Sequence, residues 1–470
     1  MSNSNGFQGM KLGHLSSLLS DYMYDKVIAE EFDRYPKQAI VSLGQGGGRI
    51  GAELSRFGHP TFLFNSSVSD MNEHKALIPD ERRIVTKSST YIGLEGTDKD
   101  ARLGFEIANE NKDLYKDVAL SKEVREAEFV WVTVSLGGGT GNGALKVVLN
   151  YLSQVRAHNA LPGGKIPLGV ICSLPSTSEK GSAFRKNAIA GLAVIQEFID
   201  QNKMGIAIVI DNEKMANYYT NTDLSIKLRK GKEQEVDARS FTNLTIASTL
   251  AEIGVLPLLN GRSVYDKTEL LATWSTPGWG TVSKRNIQIS GENISDTIDY
   301  ESEVKALFKE NEVLAEYQFE RAISGAIAII YPSNKRLSPR IADQIFDITS
   351  DILDTKVNLS ISTSDNVRDQ LLLLGIAVVD SPPTRVGTLR EELVKWDKIE
   401  KEAEESRKSK NNNDLFDGFD DFFTAEAPKR KNNGDLLLSD LPGANNIELK
   451  DIDEDENKNK VAKSLDLTDL

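Results

Sequence analysis

Two glycine runs supply the clearest chemistry in this chain. Gly44-Gln45-Gly46-Gly47-Gly48-Arg49-Ile50-Gly51 and Gly137-Gly138-Gly139-Thr140-Gly141-Asn142-Gly143 each follow an apolar run and precede a segment of helical periodicity. A helix N-terminus attracts anions, because its first N–H groups have no partner within the helix and the aligned peptide dipoles add partial positive charge. Glycine suits such a turn: no side chain blocks a phosphate, and positive φ is open to it. Thr140 adds a hydroxyl donor. A second chemistry is offered by Asp266-Lys267-Thr268-Glu269. Carboxylates at i and i+3 share one face of a helical turn, where they can orient and polarise a water. The same spacing fits a helix N-cap closed by a capping box, and the two roles are compatible.

Positioning two glycine turns at one edge requires a particular scaffold. Apolar runs at Ala39–Leu43, Thr61–Phe64, Arg83–Thr86, Phe129–Val134, Ile166–Ser173 and Gly205–Ile210 alternate with helical stretches such as Arg49–Phe57 and Ser182–Asp200. Strands apolar throughout and alternating with helices imply a parallel sheet covered on both faces, with ligands at the carboxyl ends of its strands. From Asp237 one long helix carries Phe241, Leu244, Ala247, Leu250 and Ala251 in register, and Ala326–Ile330, Val357–Ile361 and Leu371–Val379 read as strands of a second, smaller sheet. The expected fold is therefore α/β, divided into an N-terminal helical extension (1–36), a nucleotide-binding domain (37–236), a central helix (237–258), a second sheet domain (259–384), a charged C-terminal helix (385–410) and a disordered acidic tail (411–470).

Composition removes several classes. The chain has 470 residues, 39% hydrophobic and 27% charged, which is ordinary globular material long enough for more than one domain. Its longest apolar run, Leu371–Val379, falls far short of the roughly 20 residues that cross a bilayer, and MSNSNGFQGMKLGH lacks the pattern of a secretory signal, so a cytoplasmic product without a membrane partner is expected. Cys172 is the single cysteine and the four histidines show no ligand spacing. The formal net charge is -14, and residues 411–470 hold 15 acidic against 7 basic residues, so the tail carries more than half of the imbalance. Direct nucleic-acid binding is disfavoured by that charge. Two apolar islands in the tail, Leu415–Phe423 and Leu436–Leu441, are candidate docking peptides; a tail that binds nothing fits equally. Gly46-Gly47-Gly48-Arg49-Ile50-Gly51 also fits GxGxxG, but a dinucleotide enzyme needs one such loop and an acid ending the second strand, where Asn65 stands.

GGGTGNG, Gly137 to Gly143, resembles the signature loop of the tubulin and FtsZ superfamily, GTPases that polymerise head to tail. Gly44 to Gly51 is similar to the tubulin pattern GQxGxQxG, with Arg49 where that pattern has Gln or Asn. The resemblance implies a site holding GTP or GDP with Mg2+, built from both glycine runs and Asn65. Asp211-Asn212 corresponds to the position where an Asn reads guanine. Phe241-Thr-Asn-Leu-Thr is similar to YTNLN, which makes Phe241 the aromatic stacked on the base; its spacing also fits a core aromatic. Thr245 falls where the family has Asn or Asp. Glu179 matches a ribose-contacting Glu, and Leu94-Glu95 resembles an acidic element that supports magnesium, with a surface-loop glutamate as the equal alternative. Asp266-Lys267-Thr268-Glu269-Leu270 resembles DLTEF.

Within the superfamily, Phe241 to Ile253, Ser275-Thr276-Pro277-Gly278 and Pro382 to Val386 resemble the plasmid and phage TubZ group. That resemblance implies a filament of identical subunits in which Asp266 and Glu269 of one subunit act on the nucleotide of the next. It further implies DNA segregation through a DNA-binding adaptor of the TubR kind, held by the C-terminal tail. The rival expectations are an FtsZ-like division GTPase, a nucleotide-binding scaffold that hardly hydrolyses, and a dinucleotide oxidoreductase.

Overall fold

The computed structural model describes residues 34–219, 225–227, 233–235, 237–310 and 314–410. The N-terminal helical extension expected over 1–36 lies almost wholly outside the described residues, and the tail from Asn411 lies outside them entirely.

The first half alternates as its hydrophobic pattern requires. Strands β1 (Gln38–Leu43), β2 (Thr61–Asn65), β3 (Arg83–Val85), β4 (Phe129–Ser135), β5 (Leu168–Leu174) and β6 (Ile206–Asp211) are joined through helices α1 (Gly44–Ser55), α2 (Val68–Asn72), α3 (Ala101–Glu110), α4 (Lys112–Ala119), α5 (Lys122–Glu126), α6 (Thr140–Ala157) and α7 (Ser182–Asp200), and α8 (Asn212–Tyr219) follows β6. The strands run parallel in the order β3-β2-β1-β4-β5-β6. β1, β2, β5 and β6 are buried along their whole length, the consequence of helices covering both faces. Register decides where chemistry can occur. Leu43 pairs with Phe64 and Val134, Ser135 with Ser173, and Leu174 with Asp211, so the carboxyl ends of five strands finish at one edge.

Strands β7 (Ser225–Lys227) and β8 (Glu233–Glu235) form a separate antiparallel pair. The second half comprises α9 (Ala238–Val255), β9 (Asn260–Ser263), α10 (Lys267–Trp274), β10 (Gly278–Gln288), α11 (Tyr300–Phe308), β11 (Ala322–Tyr331), α12 (Pro339–Leu353), β12 (Val357–Thr363), β13 (Gln370–Val379) and α13 (Arg385–Lys410). These strands continue the first sheet. β10 pairs with β6 in parallel over Gly278, Trp279 and Gly280, then with β13 in antiparallel from Trp279 to Gln288, and β11, β12 and β9 complete eleven strands. At the junction any side chain on Gly280 would enter the space of Ile206.

Helix α9 is buried at every position from Phe241 to Val255, the pattern of a helix inside a core. With its following turn it has the length and apolarity of a membrane span, yet 94% of that apolar window is buried within the protein. Its Glu252 is fully buried and pairs at 2.8 Å with Lys284 of β10, itself 2% exposed.

Two expectations change: the strands read as a second, smaller sheet belong to the same eleven-stranded sheet as the first, and the start of α1 differs. The first glycine run is not a loop before a helix but the opening turns of α1, which starts at Gly44 with φ +66°. A Cβ on Gly47 would strike Thr133 O and one on Gly51 would strike Ser42 Oγ, so glycine lets α1 lie against β1 and β4. The strand β10 goes unread in the sequence.

Candidate functional site

The edge where β1, β2, β4, β5 and β6 end holds a 400 Å³ cavity. Helices α1 and α6 both begin there, and neither N-terminus is capped by a side chain, which leaves backbone donors for a ligand. The two turns touch: a Cβ on Gly44 would lie 2.9 Å from Gly141 N. Of the expected ligand residues, Gly44, Gln45, Gly46 and Arg49 line the cavity from α1, and Gly138, Gly139, Thr140 and Gly141 from the second turn. Asn65 at the end of β2, Glu179 in the segment between β5 and α7, and Asn212 directly after β6 line it too.

The remaining residues of both motifs serve packing. Gly47 and Gly48 face Thr133 and Leu63, and Gly137 sits under Phe184 and Pro175. Asn142 donates to Asn187 O at 2.7 Å, and Gly143 leaves room for the backbone of Phe105 and Ala101 in α3. Glycine is thus required in the second motif for two unrelated reasons, ligand approach and helix contact.

Three assignments fail on position. Phe241 is 0% exposed and belongs to the hydrophobic core, so it stacks on no ligand in the cavity. Thr245, one turn on, is buried and donates to Phe241 O at 2.8 Å. The cleft face of α9 carries Arg239 and Asn243 instead, four residues apart and so on one side of the helix. The signal was present, since the stripe Phe241, Leu244, Ala247, Leu250 already marks the face turned to the core. Glu95 is exposed and does not line the cavity; the residues just after it, Gly96, Thr97, Asp98 and Lys99, do. This loop closes on the second turn, with Thr97 Oγ1 3.3 Å from Thr140 Oγ1 and Asn187 Nδ2 donating to Lys99 O at 2.8 Å. Asp98 and Lys99 both hold positive φ, an uncommon backbone for such residues.

Sequence reasoning also missed Asp70. It lines the cavity from α2, where Gln45 Nε2 donates to Oδ1 at 3.0 Å and Asn65 Nδ2 to Oδ2 at 3.4 Å. Nearby, Ser66 Oγ lies 2.8 Å from Thr140 Oγ1. One carboxylate with hydroxyls beside a phosphate turn fits a hard cation such as Mg2+, which keeps its waters and shares phosphate oxygens rather than needing an all-protein cage. Among the described residues no group of three His, Cys, Asp or Glu is arranged to hold a metal ion.

Charge around the cavity is mixed. Arg49, Lys99 and Arg239 face Asp70, Asp98 and Glu179, and Arg49 pairs with Glu73 at 3.2 Å. Burial raises the carboxyl pKa of Asp211, beside Asn212, against the lowering pull of the Glu213 N–H and of Arg385 at 3.7 Å.

Asp266 and Glu269 lie elsewhere. They form a complete capping box on α10: Asp266 Oδ1 accepts from Glu269 N at 2.8 Å and Glu269 Oε2 from Asp266 N at 3.2 Å. Both side chains are exposed. Neighbouring Lys267 pairs with Glu128, which immediately precedes β4. Ser135, at the far end of β4, lines the cavity. A strand of that length spans roughly 20 Å, so the acid pair and the cavity occupy opposite ends of the sheet.

Residues 38–220 match the family model of the Tubulin/FtsZ family, GTPase domain. Over that stretch the chain is similar to a tubulin/FtsZ GTPase domain. Tubulin-like protein CetZ4 of Haloferax volcanii is 26% identical over 265 residues, 55% of this chain and 61% of that protein, so this alignment spans less than two thirds of the relative's length. Tubulin-like protein TubZ of Bacillus cereus is 22% identical over 444 residues, 84% of this chain and 91% of TubZ. Among solved structures, the GTPγS-form protofilament of Bacillus thuringiensis serovar israelensis TubZ superposes with a TM-score of 0.64 at 20% identity, covering 79% of this chain and 94% of that one. The GTPγS-bound protofilament of CetZ2 from Haloferax volcanii gives 0.60 at 18%, covering 77% and 99%. These superpositions extend the likeness of fold beyond residues 38–220, through the second half of the sheet.

Proposed function

We propose that the protein is a GTP-hydrolysing filament subunit whose active site is completed between two copies of the chain. The observation that carries this reading is the separation of the nucleotide cavity from Asp266 and Glu269 along β4. In a head-to-tail stack the acid end of one subunit meets the cavity end of the next. There the two carboxylates orient a water against the γ-phosphorus of bound GTP; the water's proton passes to a carboxylate and GDP leaves as the β–γ bond breaks. Asn212 and Asn243 offer amides to the base edge, the two glycine turns hold the phosphates, and Asp70 with Thr140 would hold Mg2+, which would supply charge neutralisation to the phosphates. The protofilaments of TubZ and CetZ2 support self-association of this kind.

The finer role is segregation of plasmid or phage DNA through a DNA-binding adaptor of the TubR kind. Its support is the alignment with TubZ over 91% of that protein, whereas the alignment with Cell division protein FtsZ 1 of Archaeoglobus fulgidus spans 57% of its length. The test is the GTPase rate per subunit against protein concentration, with pelleting in parallel. The rate should rise at the concentration where polymer first sediments. A rate independent of dilution would remove the shared active site.

A further inference from the structure

Two buried arginines behind the cavity depend on one carboxylate of the C-terminal helix. Arg185, at the start of α7, has a fully buried side chain and Arg385, at the start of α13, is 9% exposed. Glu392 joins them, its Oε2 accepting from Arg185 Nε at 2.9 Å and its Oε1 lying 2.6 Å from Arg385 Nη1. Both arginines also hold the segment between β5 and α7. Arg185 Nη2 donates to Ser176 O at 2.8 Å and Nη1 to Glu179 O, while Arg385 Nη2 donates to Pro175 O at 3.4 Å. Arg385 Nε lies 3.7 Å from Asp211, the residue before Asn212. That segment and Asn212 form one wall of the cavity, through Ser173, Glu179 and Asn212.

The rest of α13 is held by polar contacts. Glu400 accepts from Ser182 N at 2.8 Å and Oγ at 2.6 Å, supplying a cap that α7 lacks from its own sequence, and Lys186 pairs with Asp397 at 3.0 Å. Among the described residues of α13, Leu389 is the one buried apolar side chain. Val386, Leu393 and Trp396 are half-buried beside it, so the apolar surface uncovered when the helix leaves is limited to one buried and three half-buried side chains. If it left, Arg185 would remain buried without its carboxylate, an expensive state that reorganisation of residues 175–181 would relieve.

We propose that Glu392 is a positioning residue for the nucleotide cavity, so that docking of α13 and occupancy of the cavity strengthen each other. The proposal rests on the reading of the cavity as a GTP site and adds to it a coupling with the C-terminal helix. Reciprocity is required of any such coupling: if docking tightens binding by a given factor, binding tightens docking by the same factor.

The experiment uses the full chain below its pelleting concentration, with a fluorescent N-methylanthraniloyl GTP as probe. Glu392→Gln should weaken probe binding by ~10-fold, inside the range of about 5- to 150-fold usual for coupled sites. Above the pelleting concentration it should raise KM for GTP while leaving kcat near wild type. Asp397→Asn, which removes only the partly exposed pair with Lys186 and leaves Glu392 on both arginines, should weaken probe binding by less than Glu392→Gln does. In the wild type, GTP should slow hydrogen exchange of the amides from Val394 to Lys401. Equal probe affinity for wild type and a folded Glu392→Gln overturns the coupling alone. Should that variant not fold, exchange in α13 that is unchanged by GTP overturns it. A wild type that binds no probe overturns the GTP reading and the coupling with it.

Discussion

Lys267 donates to Glu128 at 2.7 Å, and the same Glu128 carboxylate accepts from Lys37 N at 2.9 Å. One acid thereby ties the turn of Asp266 to the entry of β1 and β4. The carboxyl ends of those two strands carry the glycine turns, so the rigid body of the sheet holds the acid pair and the cavity apart. No side-chain motion closes a gap of that size; in the proposed filament a second subunit would.

The capping box makes the role of Asp266 separable from its structural use. Asparagine caps a helix about as well as aspartate, while alanine costs about 0.5–2 kcal/mol. Asp266→Asn should therefore melt like wild type, bind GTP and sediment, but hydrolyse ~10²–10⁴-fold more slowly, the usual loss when a positioned acid–base group is removed. Asp266→Ala should lose the same activity and melt lower. Normal turnover by Asp266→Asn, measured as phosphate release in the polymer, would leave this aspartate as a cap and nothing more.

Adjacent glycines in the second turn should respond differently. A Cβ on Gly138 meets only Ser135 O at 3.6 Å, an ordinary contact, whereas one on Gly139 would lie 2.8 Å from Asp100 N and collide with Thr97. Gly138→Ala should keep the wild-type melting temperature and lose GTP affinity, because the new methyl stands where phosphate approaches the backbone. Gly139→Ala should lose both, since the loop at Thr97–Asp100 must move. The comparison is made by thermal melts and equilibrium GTP binding on the two purified variants.

Much of the scaffold was legible because parallel strands buried on both faces are written as plain apolar runs. β1, β4, β6 and β13 coincide with such runs to within a residue or two. β10 was not, although it joins the two halves of the sheet. Its sequence GWGTVSKRNIQ separates the buried Trp279, Val282 and Ile287 with glycines and polar or charged residues, and Lys284 tolerates burial because Glu252 meets it from α9. A lysine whose partner lies 32 residues earlier reads as solvent-facing. The site divided along the same line. Glycine turns and strand ends were visible as motifs, whereas Asp70, Lys99, Arg239 and Asn243 reach the cavity through register and helix phase, which short motifs do not carry.

Helix phase in α9 gives a direct check. Asn243 lines the cavity and Phe241 fills the core. Asn243→Ala should weaken GTP binding with little change in melting, and its loss should be smaller for a nucleotide whose base lacks the guanine edge. Phe241→Ala should destabilise by about 3–5 kcal/mol, the range for removing a buried aromatic ring. The measurements are urea unfolding with and without saturating GTP, beside competition binding of GTP and ATP. A Phe241 variant of wild-type stability that fails to bind would restore the aromatic to the cavity.

The last prediction concerns acid stability and His59. Its ring is 4% exposed, lies 6.1 Å from the Tyr35 ring at an interplanar angle of 15°, and its Nδ1 has no hydrogen-bond partner among the described residues. Burial lowers its pKa from 6.5 to about 4. The folded protein therefore keeps the ring neutral where the unfolded chain takes up a proton. Stability from this group is complete above pH 6.5 and falls as the pH drops toward 4, because the unfolded state binds more protons throughout that window. At about 1.4 kcal/mol per pH unit the loss reaches ~3 kcal/mol. His59→Phe keeps a ring against Tyr35 and removes the titration, so its unfolding free energy should lose ~3 kcal/mol less than wild type between pH 6.5 and 4. Urea unfolding of both proteins at pH 7.5, 6, 5 and 4 checks this. Parallel pH dependences would mean that His59 is solvated and protonates in the folded protein.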